Sequence, residues 1–146
     1  MKSFILKNKF NNAIIKKKYI GRESMAQFVI KKTKTGFTFA LKVSNKETIA
    51  VASEVYNTKD SCKRGIKSVI RNAKSPVEDQ TAKEVKKVSL PKYEIYKDKK
   101  GEFRFRLKAG NAQIIAIGEG YKSLASCKNG IASIGKNAEK AEVVDE

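Results

Sequence analysis

The sequence predicts an α+β protein made of two copies of one β-β-β-α unit. Residues 62–73 (CKRGIKSVIRNA) match residues 127–138 (CKNGIASIGKNA) at seven of twelve positions, an internal repeat at an offset of 65 residues. In each copy, three short segments of alternating apolar and polar residues precede a segment with apolar residues at helical spacing. With 40% hydrophobic residues, a chain of 146 residues is long enough to bury a core.

The three strands of each unit follow from residues that alternate with a period of two. The second strand is the clearest, because Phe37, Phe39 and Leu41 recur as Phe103, Phe105 and Leu107. Gly36 and Gly101 each mark the hairpin before it. The third strands are expected at residues 48–52 and 114–117. The same alternation predicts inward-facing side chains there at four positions: Ile49, Val51, Ile115 and Ile117.

The helix of each unit is predicted by its cap and its apolar side. Thr58 and Ser123 are suitable N-caps, and the helices are expected to run to residues 72–73 and 137–138. Each helix has a glycine in its middle, Gly65 or Gly130, which costs about 1 kcal/mol relative to alanine. Because the glycine recurs at the same place, we expect a neighbouring element to approach the helix closely there.

Charge and composition divide the chain into five segments. Residues 1–24 hold seven Lys or Arg and one Glu, a charge of +6, and are expected to be a disordered basic leader or to precede a native start at Met25. Residues 25–74 form unit one and residues 90–138 form unit two. Between them, residues 75–89 are charge-balanced and are expected to be an exposed linker. Residues 139–146 form an acidic tail.

These repeats resemble the YegP-like family, a small bacterial domain of uncharacterised function. In unit two the resemblance covers residues 92–138 and is carried by a lysine-rich turn before Gly101, by FRFRLKAGN at 103–111, by Glu119-Gly120-Tyr121 and by SCKNGIAS at 126–133. In unit one it covers residues 26–73, where Val55 replaces the glycine before Tyr56. The resemblance implies a single antiparallel sheet formed by both units, with exchanged C-terminal helices. It implies no activity.

Composition disfavours several classes of function. The chain has no histidine, which removes the commonest metal ligand and general base, and its two cysteines cannot complete a zinc site. We therefore expect no enzyme activity, no catalytic or metal-binding residues and no cofactor. The sequence contains no apolar run long enough for a signal peptide or a membrane span, so we expect a cytoplasmic protein without membrane association, in which Cys62 and Cys127 are reduced.

The candidate binding site lies on the strands of unit two. Arg104, Arg106 and Lys108 share the outward side of the second strand, and Tyr96 of the first strand faces the same way. Cations beside an aromatic ring on an open sheet face are typical of surfaces that contact phosphates and stack bases. These four residues are the predicted nucleic-acid contacts, with a solvated sheet face as the structural alternative.

Two functions remain open from the sequence. The net charge of +17 favours a small binding module whose partner is nucleic acid. The alternative is a structural or protein-interaction module that binds an acidic protein, for which an outward-facing Ile114 is the supporting feature. The expected state is a monomer whose units are related by an internal pseudo-twofold axis, and a homodimer is the alternative.

Overall fold

A computed structural model describes residues 26–146, within which the chain forms eight strands and two α-helices. In chain order these are β1 (Gln27–Lys32), β2 (Phe37–Lys42), β3 (Thr48–Val51), α1 (Lys59–Asn72), β4 (Val77–Asp79), β5 (Lys92–Lys97), β6 (Phe103–Lys108), β7 (Ile114–Ile117), α2 (Leu124–Asn137) and β8 (Glu142–Asp145). The leader predicted for residues 1–24 and the start predicted at Met25 lie outside the described residues.

Both helices begin as the sequence predicts. The hydroxyl of Thr58 accepts a hydrogen bond from the amide of Ser61, and that of Ser123 accepts one from the amide of Ser126, at 3.0 and 3.1 Å. These bonds satisfy amides that have no partner within the helix, so the helix start is determined locally.

All eight strands belong to one sheet, in the order β4-β5-β6-β7-β3-β2-β1-β8. The inner neighbours pair in antiparallel fashion, whereas β4 pairs with β5 and β8 pairs with β1 in parallel. The sheet is therefore mixed, and the expectation of a purely antiparallel sheet was wrong. The cause is a short extra strand after each helix, which lies in the segment expected to be a linker in unit one and in the acidic tail in unit two.

These extra strands, rather than the helices, are exchanged between the units. β4 follows unit one and pairs with β5 of unit two, while β8 follows unit two and pairs with β1 of unit one. Helix α1 contacts β1 and β2 of its own unit as well as β7, and α2 likewise contacts both β6 and β3. We expected each helix to pack on the strands of the other unit, but each helix packs on strands of both units. A helix of 14 residues is about 21 Å long. Because neighbouring strands lie about 4.8 Å apart, a helix of this length spans several strands and reaches both units.

The core lies between the two helices and one face of the sheet. Its largest fully buried side chains come from both units and include Phe28, Phe39, Tyr93 and Phe105. In each unit two of these rings meet edge to face, with centroids 5.9 Å apart for Phe28 and Phe39 and 6.0 Å apart for Tyr93 and Phe105. The hydroxyl of Tyr93 donates a 2.7 Å hydrogen bond to the carbonyl of Ala73, which ties the end of α1 to unit two.

The third strand of each unit departs from strict alternation. A register shift between Leu41 and Lys42 leaves Ile49 and Ala50 both buried. Val51 then pairs with Ala40 and Ile117 pairs with Arg106, on the face away from the helices. The expectation that Val51 and Ile117 point inward was therefore wrong, because a bulge displaces the alternation by one residue.

Candidate nucleic-acid interface

The four predicted contact residues lie together on the face of the sheet opposite the helices. Phe105 and Leu107 of β6 are fully buried on the helix side, so the alternating residues of that strand face away from the helices. Tyr96 of β5 is the cross-strand partner of Arg104. The guanidinium of Arg106 lies over the ring of Tyr96, 4.5 Å from its centroid. The structure therefore places all four on one surface.

Each of the three cations already has a carboxylate partner, on a strand of the sheet or in the turn that follows β5. Arg106 donates to Glu94 at 2.7 Å, and the ammonium nitrogen of Lys108 lies 3.2 Å from the same carboxylate oxygen. Arg104 donates to Asp98 at 2.7 Å. These are short, charge-assisted contacts. A phosphate would have to compete with these carboxylates for the cations, and the ring of Tyr96 is covered by Arg106 on one side.

Two buried carboxylates hold this network together. Glu94 and Glu78 are each 4% exposed, and Lys92 bridges them with contacts of 3.2 and 2.7 Å. Hydrogen bonds to Glu78 from Gln80, Lys92 and the amide of Val88, in that order of effect, lower its pKa to about 2. Burial acts to raise the pKa of Glu94, but its hydrogen bonds from arginine and lysine outweigh burial and lower it. The network fastens β4 to the sheet.

The charge of this surface is largely compensated. Four cations, Lys92, Arg104, Arg106 and Lys108, face three carboxylates, Glu78, Glu94 and Asp98. One excess positive charge is a weak attractor for a polyanion. The geometry therefore gives the predicted residues a structural role in the sheet.

One row of residues on the same surface is apolar across unit one. One row of paired residues crosses all eight strands on this face: Val144, Val29, Ala40, Val51, Ile117, Arg106, Glu94 and Glu78. We call this set the cross-sheet row. Its five apolar members lie on β8, on the strands of unit one and on β7, where the two units meet. Its three charged members lie on β6, β5 and β4. The two units thus share a fold but not a surface.

A second basic surface lies on helix α1, which the sequence reasoning missed. We define the α1 stripe as five exposed cations of this helix and its C-terminal end: Lys63, Arg64, Lys67, Arg71 and Lys74. At 3.6 residues per turn they fall within an arc of about 100°, opposite the buried side of the helix.

The cations of the α1 stripe are scarcely paired. Within residues 26–146, these cations form one ion pair, between Lys74 and Glu139 at 3.9 Å, with both side chains at least 75% exposed. Arg64 also donates a 3.3 Å hydrogen bond to the hydroxyl of Ser61. Asp60 is the acidic residue of the first turn. In contrast to the sheet face, the stripe keeps its charge available to solvent and to a partner.

The stripe belongs to unit one alone. At the offset of 65 residues, its equivalents on and after α2 are Lys128, Asn129, Ala132, Lys136 and Glu139. Only two of the five remain cationic, and one has become acidic. The repeat offset that reveals the shared apolar side of the helices also reveals this difference on the exposed side, so the signal was present in the sequence.

The other repeated residues serve the packing. A Cβ atom at Gly65 would collide with the Tyr56 hydroxyl, and one at Gly130 with the Tyr121 hydroxyl, which confirms the predicted close approach. Cys62 and Cys127 are free and fully buried, and burial raises the pKa of both thiols. Residues 26–146 contain no group of three or more His, Cys, Asp or Glu side chains placed to hold a metal ion. No helix of that region is long and apolar enough to cross a membrane.

The fold defines a class of proteins in which two β-β-β-α-β units form one mixed sheet and each unit adds its last strand to the edge of the other. The sequence matches the family described as domain of unknown function DUF1508 over residues 33–79 and 98–145, once in each unit. The chain belongs to this family, and the resemblance stated from its motifs is confirmed.

Relatives of two lengths match the chain. The UPF0339 protein YegP of Yersinia pestis is 40% identical over 123 residues, which cover 84% of this chain and 96% of that protein. A UPF0339 protein of Treponema denticola is 61% identical over 54 residues, which cover 37% of this chain and 93% of the relative, so the relative is about one unit long. The solution NMR structure of YegP from E. coli, a protein of unknown function, matches with a TM-score of 0.66 and 33% identity over 84% of this chain and 93% of that one.

Proposed function

We propose that the protein is a binding module for nucleic acid and that it contacts phosphates through the α1 stripe. The observation that carries the proposal is the exposure of five cations along one side of α1, which within residues 26–146 form a single long ion pair. Lysine and arginine side chains in such an array bind phosphate oxygens and release counterions.

The sheet face that the sequence favoured supports the proposal less well. Removing Arg106 would leave the buried carboxylate of Glu94 without its shortest hydrogen bond, and reversing its charge would place two carboxylates together. A loss of binding in such a variant would therefore report on folding. The α1 stripe is free of this problem because its side chains are exposed and make few contacts.

The proposal predicts a measurable salt dependence. If four to five stripe cations each contact a phosphate of a duplex, the plot of log K against log salt concentration should have a slope of about −4. Removing one contact should reduce the magnitude of that slope by about 1.

The test compares two variants that each reverse the charge of two exposed cations, one variant on each helix. One is Lys67→Glu/Arg71→Glu in α1, and the control is Lys128→Glu/Lys136→Glu in α2. Fluorescence anisotropy with a labelled oligonucleotide at about 50 mM salt should show at least a tenfold loss for the α1 variant and a much smaller loss for the control. Equal losses would mean that net charge alone is responsible, and no binding by the unaltered protein would overturn the proposal.

Polyglutamate in the same assay distinguishes nucleic acid from an acidic protein. We expect it to compete at least tenfold less well than the oligonucleotide at equal charge concentration, because extended peptide carboxylates lack the dense phosphate array of a duplex. Equal competition would favour an acidic polypeptide as the partner.

The protein is proposed to act as a cytoplasmic monomer without catalytic activity. The two buried free thiols of Cys62 and Cys127 support a reducing compartment. The exchange of β4 and β8 within one chain supports a monomer, because each unit receives its extra strand from the other.

The second candidate function is a protein-interaction module that uses the open sheet face. It is favoured by the apolar half of the cross-sheet row and by Ile114, which is 37% exposed at its edge. Val51→Lys, which places a charge in the middle of the row, should abolish such an interaction in a pull-down and leave oligonucleotide binding unchanged. Retention of every captured protein by this variant would argue against this function.

A further inference from the structure

We propose that the nucleic acid bound by the α1 stripe is double-stranded and that its backbone is recognised without reading its bases. This inference rests on the function proposed above and names the partner of that site. It follows from which side chains the helix surface offers and from how far the cations are spread.

Within residues 26–146, α1 itself carries no aromatic residue on which bases could stack. The nearest repeated aromatic residue, Tyr56, is stacked on Phe39 with centroids 6.3 Å apart, and its hydroxyl packs against Gly65 on the inner side of α1. Tyr96 lies on the opposite face of the sheet, beneath Arg106. Proteins that hold single strands gain much of their affinity from aromatic stacking. A surface with cations alone gains little from unpaired bases.

The length of the stripe suits two lines of phosphates. From Lys63 to Arg71 the helix rises about 12 Å, and Lys74 lies just beyond its end, so the stripe spans at least the ~12 Å width of the major groove of a DNA duplex. A helix lying across such a groove brings the cations at its two ends to phosphates of opposite strands. A flexible single strand has no fixed second line of phosphates, so it must be ordered to make the same contacts.

The stripe also lacks the side chains that read base edges through paired hydrogen bonds to adenine. Asn72 is the amide residue near it, and its side-chain nitrogen donates to the carbonyl of Ser68 at 2.9 Å, which holds it against the helix. The remaining members are long cationic side chains, three of them lysines that act as point charges. Arg64 and Arg71 carry the forked donors that can pair with guanine, and Arg64 donates to the hydroxyl of Ser61 at 3.3 Å. Because phosphates are the nearer targets for all five cations, we expect binding to depend little on base sequence.

The test is a set of titrations of the full chain with labelled oligonucleotides of about 20 nucleotides, roughly two helical turns as duplex. The probes are two DNA duplexes of unrelated sequence, their separated strands and an RNA duplex of the first sequence. We expect at least one duplex type to bind about tenfold more tightly than any single strand, and the two DNA duplexes to agree within about twofold. Lys67→Glu/Arg71→Glu should remove this preference, whereas Lys128→Glu/Lys136→Glu should preserve it.

The outcomes separate this inference from the function on which it rests. Tighter binding of DNA duplexes, of the RNA duplex or of both supports the inference and tells which backbone geometry fits. Binding of single strands as tight as that of duplexes would overturn the inference and leave nucleic-acid binding standing. A strong difference between the two DNA sequences would overturn the absence of base reading. No binding by any probe would overturn the proposed function itself.

Discussion

Replacing Gly130 with alanine measures how closely Tyr121 packs against the middle of α2. A Cβ atom at this position would collide with the Tyr121 hydroxyl and lie 2.9 Å from the ring carbon that bears it. The ring cannot easily withdraw, because it is stacked on Phe105, which is fully buried, with centroids 6.4 Å apart.

The expected magnitude is the difference of two effects. In an exposed helix the change from glycine to alanine stabilises by about 1 kcal/mol. Forcing a methyl group into a filled core costs about 1–3 kcal/mol. We therefore expect Gly130→Ala to lower the free energy of unfolding by about 1 kcal/mol, the opposite sign from helix propensity alone.

Urea unfolding followed by circular dichroism measures this change, with Tyr121→Phe as the second member of a double-mutant cycle. Tyr121→Phe removes the nearest colliding atom, so the double variant should be more stable than the sum of the single effects by about 0.5–1 kcal/mol. Gly135→Ala in the same helix is the milder comparison, since its Cβ atom would lie 3.3 Å from the Ala73 carbonyl oxygen, a tight contact but not a collision, and it should destabilise less than Gly130→Ala. Stabilisation by Gly130→Ala, or additive effects of the two changes, would refute the reasoning.

Three further predictions concern the carboxylate network, the thiols and the exchanged strand. The pKa of Glu78 is lowered to about 2 in the folded protein, so its contribution to stability is present above the ordinary carboxyl pKa of 4.5 and is lost as the pH falls toward 2. The urea concentration at the midpoint of unfolding should therefore decrease over this pH range, and Glu78→Gln should make that decrease smaller. Burial raises the pKa of Cys127 to about 11, so a thiol reagent at neutral pH should label neither cysteine until the protein is unfolded, and rapid native labelling would contradict the packing. Ending the chain at Ala141 removes the amides that bond to the carbonyls of Ala26 and Ile30 and should cost about 1–3 kcal/mol in urea unfolding, whereas an unchanged midpoint would mean that β8 contributes nothing.

The sequence predicted the parts of the fold that depend on local chemistry. Each helix starts at its predicted N-cap, Thr58 or Ser123, because a hydroxyl there satisfies free amides. Gly65 and Gly130 indicated a close approach because a glycine in the middle of a helix is unfavourable unless a larger side chain would not fit there. Strands β4 and β8 could not be predicted in this way. Three or four residues carry too little alternation, and their pairing depends on the distant strands β5 and β1.

The candidate site shows a similar division. Alternation placed Arg104, Arg106 and Lys108 on the correct face, but it says nothing about what stands beside them on the next strand. The partner of Arg106 is Glu94, which lies opposite it in the hairpin register. The identity of a neighbour across strands decides whether a basic residue is available to a ligand. The α1 stripe, by contrast, could be found by comparing the exposed sides of the two helices.

The central claim is that the α1 stripe, rather than the sheet face, meets the phosphates of a nucleic acid. An NMR titration of the isotopically labelled chain with a short DNA duplex tests it residue by residue. We predict that the largest amide shifts occur between Lys63 and Lys74, with small shifts for the equivalent positions of α2. Shifts concentrated on β5 and β6 around Tyr96 and Arg106, with α1 unaffected, would contradict the claim.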